Sequence, residues 1–300
     1  MATASPMQPG SPRNSSLTPA AVSTNTSPVP TVPSMELPVI RFTTIEKLFD
    51  EINRTTGDVL TVCGVSVQQF AEIEKAREGQ RRKFRFRRFS AAAKILIITI
   101  PTRVHEILHS YIFGRTIIAV DKMGLDDAWV ATGDTTFRAQ YQHPNGDGGE
   151  GDSTGCPSPA RDDGWPTLVI EAGYSQTLQG LRQDMEWWFR ASRHEVKIVL
   201  LAKFDRPTRS IILEKWVEVV QTREGATNTR AAAEPQPARD QVITITQNPG
   251  NPVSYNITSG DLRLEFRLLF LRLPTGAEQD IIIDAQRLRQ YAAKVWTAVR

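Results

Sequence analysis

The sequence predicts an α/β protein: a mixed central sheet flanked by helices, preceded by a disordered N-terminal tail. Three observations lead there. Trp165 to Phe204 reads as strand, helix, strand, with apolar β-branched runs on either side of a segment whose apolar residues recur at helical spacing. Helix-period segments and a hairpin come before this unit, and strand-like runs with a closing amphipathic helix come after it. Residues 1–38 are rich in Pro, Ser and Thr, with Arg13 and Glu36 as their only charges, so they cannot bury enough apolar surface to offset their ordering entropy.

Composition narrows the class. The 300 residues suffice for one large domain or two smaller ones, and 40% hydrophobic with 23% charged residues is ordinary for a protein in water. No stretch approaches the roughly 20 apolar residues of a membrane helix, and the N-terminus lacks the basic start and apolar core of a secretory signal. Cys63 and Cys156 are too few for a disulfide framework. The expectation is an intracellular protein, cytoplasmic or nuclear. A net charge of +3 is too small to argue for nucleic acid by itself.

Taken in order, Ile45, Leu48, Phe49 and Ile52 fall on one helical face, and Val65 to Arg77 gives a second helix stopped near Gly79. These two segments read as a helical lead-in. Arg81 to Phe89 then packs six basic residues into nine, interleaved with three phenylalanines. In a strand, Phe84 and Phe86 would face one side while Arg85 and Arg87 face the other. That pattern suits a solvated edge strand or a phosphate-facing strip, and a nuclear-localisation role is a weaker third use. This strand pairs with Lys94 to Ile100 as a hairpin, and Pro101 suits the first turn of a helix from Thr102 to Phe113 or beyond.

Trp129 to Arg138 reads as a strand with Asp134 near its end, and Gln140 to Asp163 as a loop too polar for core. Gly146 to Gly151 in that loop follows no phosphate-binding pattern and holds no lysine, so nucleotide binding is not supported. After Trp165 to Phe204 comes a strand over Ser210 to Val220, with Ile212, Trp216 and Val219 as its core candidates. Thr222 to Asp240 reads as a loop or linker. Val242 to Thr246 and Leu262 to Leu273 read as strands and Asp284 to Val299 as a helix. Residues 39–300 are therefore expected to form a single domain.

The candidate chemistry centres on Glu171, the only acid inside a strand-like run of Trp165 to Phe204. A buried unpaired carboxylate costs several kcal/mol, so Glu171 must lie at an open strand end or have a cation. Alternation groups it with Gly173 and Ser175 on one face. The following helix has a stripe of Leu178, Leu181, Met185 and Trp188, and adjacent Trp187 and Trp188 cannot both face the core. Two carboxylates converging on one point would suit Mg²⁺, which completes its shell with water and phosphate oxygens.

The order helix, strand, acidic loop, strand ending in Glu171, helix, strand resembles the PD-(D/E)xK (restriction-endonuclease-like) nuclease fold. Trp165-Pro-Thr-Leu-Val-Ile-Glu171-Ala-Gly-Tyr-Ser175-Gln176, then Leu181 to Trp188 and Val196-Lys197, is similar to a large group of fungal proteins with that core. The Glu-x-x-x-Ser turn is also similar to a bacterial restriction-endonuclease group. The resemblance covers about residues 80–220. It implies a metal-dependent phosphodiester hydrolase, or a catalytically degenerate relative, using Mg²⁺ or Mn²⁺ on nucleic acid. By resemblance Asp152 and Glu171 would hold the metal and Glu106 would assist. The family's lysine position is Gly173 here, so Lys197, Arg182 or Gln176 would have to substitute, with Arg85 and Arg87 facing substrate. A non-catalytic nucleic-acid or protein-binding module is the alternative.

A separate motif competes. His105-Glu106-Ile107-Leu108-His109 fits H-E-x-x-H, whose histidines lie one helical turn apart and could share Zn²⁺ with Glu106 as general base, as in a zinc metalloprotease. Its third ligand would have to come from elsewhere, with Asp126 and Asp127 the nearest downstream acids. Cys156 reads as a loop thiol and His194 as a surface residue.

Overall fold

The computed structural model describes residues 38–133, 135–139, 146–220 and 234–299. The predicted N-terminal tail up to residue 37, Asp134, residues 140–145 of the predicted polar loop and residues 221–233, most of the predicted linker, lie outside the described residues. No described helix is long and apolar enough to cross a membrane.

The chain opens with β1 (Val39–Arg41), α1 (Ile45–Arg54), β2 (Val59–Cys63) and α2 (Val67–Arg77). Thr44 caps α1 by accepting from Lys47 N, and α1 buries the expected Leu48, Phe49 and Ile52. Ser66 and Gln69 form a capping box on α2. The segment is more than a helical lead-in, because β1 and β2 belong to a sheet. That sheet continues with β3 (Arg85–Ser90) and β4 (Ile95–Thr99), the predicted hairpin, in the order β1-β2-β4-β3.

Helix α3 (Arg103–Lys122) runs well past Phe113. The predicted strand over Trp129 to Arg138 is two short ones, β5 (Trp129–Ala131) and β6 (Phe137–Arg138), which join different sheets. The predicted polar loop contains β7 (Gly148–Gly149) and β8 (Ser153–Pro157), both buried. β7 and β6 extend the first sheet beyond β3, so β3 is an interior strand and not an edge. Cys156 is accordingly a buried strand residue. Small side chains are what β8 has room for: a Cβ on Gly155 would lie 2.6 Å from the Trp129 indole.

β9 (Leu168–Gly173), α4 (Leu178–Ala191) and β10 (Ile198–Asp205) form the predicted central unit, with β9 and β10 parallel. β11 (Ser210–Val219) and β12 (Gln236–Asn248) follow antiparallel, and β12 takes in the last part of the predicted linker. Ile211 and Leu213 are the core residues of β11, while Ile212 and Trp216 are half-buried and Val219 exposed, so the predicted face was the wrong one. After β13 (Ser254–Ile257), the run from Leu262 is only briefly a strand, β14 (Leu262–Leu264), before α5 (Phe266–Phe270). β14 pairs with β15 (Ile281–Ile283) apart from the main sheets, and α6 (Ala285–Ala298) closes the chain behind an Asp284 cap.

The second sheet has the order β13-β12-β11-β10-β9-β8-β5. Within it β5, β8 and β9 form an antiparallel meander and β10 lies parallel to β9. Leu168, Ile170, Ala172, Leu200 and Ala202 pack in one core with α3 and α6 residues such as Leu108, Ile112 and Tyr291. Val169, Val199 and Leu201 pack in another with Leu181, Met185 and Trp188 of α4. The mixed sheet is thus flanked by helices, as predicted. Alternation between the two cores fixes the register, since a one-residue slip would exchange the faces.

Candidate functional site

Glu171 stands between Val169 and Gly173 on the α4-facing row of β9 and is fully buried. The β8–β9 register brings Asp152, just before β8, beside it, and Ala172 N–H donates to Asp152 Oδ2 at 2.8 Å. The register of β3 shifts between Arg85 and Arg88, which turns Phe86 and Arg87 both inward. Arg87 is therefore not a solvent-facing side chain. Its Nε donates to Asp184 Oδ2 at 2.8 Å, and one terminal nitrogen lies 3.6 Å from Glu171 Oε2. Trp188 Nε1 donates to Glu171 Oε1 at 2.6 Å. Asp184 also accepts from Arg88 at 2.9 Å and from Gln176 Nε2 at 3.0 Å.

Burial, followed by the charge of Asp152, pushes the Glu171 carboxyl up to about 8, against the pull of Arg87. Asp152 moves the other way: desolvation would raise it, but His105 and Arg87 hold it well below the usual carboxylate range. The Glu171 carboxyl holds its proton because the neighbouring Asp152 charge is the better compensated one.

The start of α3 supplies a second group. His105 Nε2 lies 3.3 Å from Asp152 Oδ2, and His109 Nδ1 lies 2.8 Å from Ser153 Oγ. Glu106 Oε1 lies 3.3 Å from His109 Nε2, 3.9 Å from His105 Nδ1 and 2.9 Å from Arg85. Burial alone would lower His105, yet Asp152 and Glu106 push it up to about 9. Glu106, though partly desolvated, is held far below its ordinary value by the two histidines and Arg85. His105, Glu106 and His109 bring one ligand atom each to within 4.8 Å of one another, a group that could hold a metal ion.

Several sequence-predicted residues stand elsewhere. Lys197 precedes β10 at the end opposite Glu171, and its Nζ donates to His194 O at 2.6 Å. Arg182 pairs with Glu214, with its Nε 2.9 Å from Oε2. Neither is brought to the carboxylates. Gln176 is, through Asp184, and Arg85 lies 4.0 Å from Asp152 while bound to Glu106. Asp126 and Asp127 form a short 3-10 turn beyond α3, whose 20 residues carry the chain away from His105. That is about 30 Å at the helical rise, too far to complete a site there. His194 is half-buried and pairs with Glu218 at 2.7 Å.

A lysine at position 173 would meet Leu181, since a Cβ built on Gly173 lies 2.8 Å from Leu181 Cδ1. The residue in register with Gly173 on β10 is Lys203, buried, with Nζ donating to Tyr174 O at 2.8 Å. Sequence reasoning passed over Lys203, although a single lysine in the apolar run of β10 was a visible signal. It also passed over Asp184 and Asp58, whose carboxylate receives the Tyr174 and Ser175 N–H groups. Trp187 and Trp188 are both buried: Trp188 points at Glu171, and Trp187 stacks under Arg88 and abuts Gly149. The first sheet supplies the cover that a lone helix face would lack.

Compared with known proteins, the chain matches no family model and none of the curated proteins searched.

Proposed function

We propose that this chain is a catalytically degenerate relative of the PD-(D/E)xK metal-dependent phosphodiester hydrolases, a nuclease-like scaffold that serves as a binding module. Support for the scaffold comes from the order of α3, the β5–β8–β9 meander, α4 and β10, with Asp152 and Glu171 side by side on neighbouring strands. Support for the loss of catalysis comes from one observation above all: the buried guanidinium of Arg87 stands between Glu171 and Asp184.

Mg²⁺ takes near-octahedral oxygen coordination, usually keeping several waters. Here Glu171 Oε1 is engaged by Trp188, Oε2 faces Arg87, and Asp152 Oδ2 is engaged by Ala172 N–H and faces His105. A divalent ion about 4 Å from Arg87 would be repelled by on the order of 8 kcal/mol at an effective dielectric of 20. These residues do not fit Mg²⁺ or Mn²⁺, so no hydrolytic step is drawn through one. The family's lysine position is Gly173, where any side chain would have to displace the Leu181 methyl.

The basic strip argues against nucleic acid as the partner through Arg85 and Arg87. Arg82 donates to Ile52 O, Asn53 O and Thr55 O at the end of α1, and Arg85, Arg87 and Arg88 are paired with internal acids. The test incubates purified chain with DNA or RNA and Mg²⁺ or Mn²⁺. The expected result is no cleavage above that of Glu171→Ala. Metal-dependent cleavage that Glu171→Ala abolishes would overturn the reading.

A further inference from the structure

The first two turns of α3 leave polar atoms that the scaffold alone does not use. His105 and His109 are buried to 0% and 2% exposure; His105 Nε2 has no hydrogen-bond partner among the described residues, nor do His105 Nδ1 and His109 Nε2. Both face Glu106 Oε1, at 3.9 and 3.3 Å. Ligands about 2.0–2.1 Å from a tetrahedral ion lie about 3.3 Å from one another, so one of these spacings is already met and the other closes with a small side-chain movement.

We propose that His105 Nδ1, His109 Nε2 and Glu106 Oε1 bind a borderline divalent ion of the zinc class, with a fourth position open to solvent. Two imidazoles and one carboxylate are the donor set that zinc, cobalt and nickel take and that Mg²⁺ does not favour. Each imidazole has a polar neighbour on its far side, whereas Arg85 holds the ligating oxygen of Glu106 itself and must release it to the ion. Asp152 Oδ2 stands 3.3 Å from His105 Nε2, Ser153 Oγ 2.8 Å from His109 Nδ1, and Arg85 2.9 Å from Glu106 Oε1. The Ser153 bond holds the His109 ring, and the Asp152 carboxylate facing His105 Nε2 favours a proton there, which leaves Nδ1 its lone pair.

Glu106 is the outermost of the three, with 39% of its side chain exposed, so the ion's free position opens on that side. In this geometry Glu106 is a ligand. The general-base role of an H-E-x-x-H glutamate requires it to stand back from the metal and hold a water, and here its oxygen lies within the ligand triangle. The site does not depend on the nuclease-like reading, because Glu171 takes no part in it.

The experiment uses the full chain stripped with a chelator and titrated with Co²⁺, read by its visible absorption bands, with Zn²⁺ as competitor. We expect one equivalent of Co²⁺ in a four-coordinate spectrum, displaced by Zn²⁺ and unaffected by excess Mg²⁺. Asp152→Asn should weaken affinity by about 10–100-fold while keeping the stoichiometry, as loss of an outer partner does. His109→Gln should abolish the bands. Should that buried substitution unfold the chain, the half-exposed Glu106→Gln, checked for native circular dichroism, decides by weakening Co²⁺ and changing its spectrum. Absence of Co²⁺ bands with the folded wild-type chain, or an unchanged spectrum and affinity in folded Glu106→Gln, would overturn the proposal.

Discussion

Replacing Arg87 by alanine removes the cation around which the buried centre is arranged. Arg87 is 2% exposed and its Nε bond to Asp184 is 2.8 Å. Removing one partner of a buried pair costs about 3–5 kcal/mol, because the other is left as an uncompensated charge. Asp184 retains Arg88 and Gln176, and Glu171 can stay protonated, so the lower end, about 3 kcal/mol, is expected. Against a typical total of about 5–15 kcal/mol that is a large loss. Urea unfolding followed by the fluorescence of the six tryptophans, two of which line the centre, measures it directly. Adding Asp184→Asn in the Arg87→Ala background should recover part of the loss, a coupling of about 1–3 kcal/mol. A change below about 1 kcal/mol, the level of solvent-exposed pairs, would show that Arg87 is not a buried counter-ion and refute the reasoning.

Other consequences follow from the same geometry. The folded Glu171 carboxyl stands at about 8 against an ordinary 4.5, so the fold prefers its protonated form. Its contribution to stability is full below about 4.5 and is lost as pH rises through about 8, since the native state binds the extra proton across that window. Glu171→Gln should flatten this part of the urea-midpoint profile, and a wild-type minus Gln difference that does not change with pH there would be the contrary result. Gly173→Ala should destabilise by about 1–3 kcal/mol through its clash with Leu181, whereas an unchanged unfolding midpoint would mean that α4 yields at no cost.

Strand β9, helix α4 and strand β10 were legible because each carries its own hydrophobic period, with Leu181, Met185 and Trp188 marking the buried helix face. β8 was not. Its Ser-Thr-Gly-Cys-Pro sequence shows no apolar alternation, and it is buried because Trp129 and neighbouring strands bring the apolar surface to it. The Arg87 position was misread for a different reason. Simple alternation puts Phe84 and Phe86 opposite Arg85 and Arg87, but the shift in β3 register exchanges the side on which Arg87 emerges. The same kind of irregularity, between Lys215 and Trp216, accompanies the wrong face assigned to β11. The run from Leu262 was ambiguous between strand and helix on apolar content alone, and the structure uses both.

The candidate site was legible in part. Spacing alone put His105 and His109 on one helical face, and Glu171 stood out as an acid in an apolar run. What no spacing could reveal is which cations meet these acids. Asp184 lies 97 residues from Arg87 in sequence, and their contact depends on how the first sheet packs over α4. The role of Glu106 likewise depends on Arg85, which reaches helix α3 from strand β3.

The most direct test of the central claim is calorimetric titration of Mg²⁺ into the wild-type, Glu171→Ala and Arg87→Ala chains at neutral pH. A centre already neutralised by Arg87 predicts no Mg²⁺ binding that depends on Glu171, and a new weak site once Arg87 is removed. Mg²⁺ binding to the wild-type chain that disappears in Glu171→Ala would contradict it.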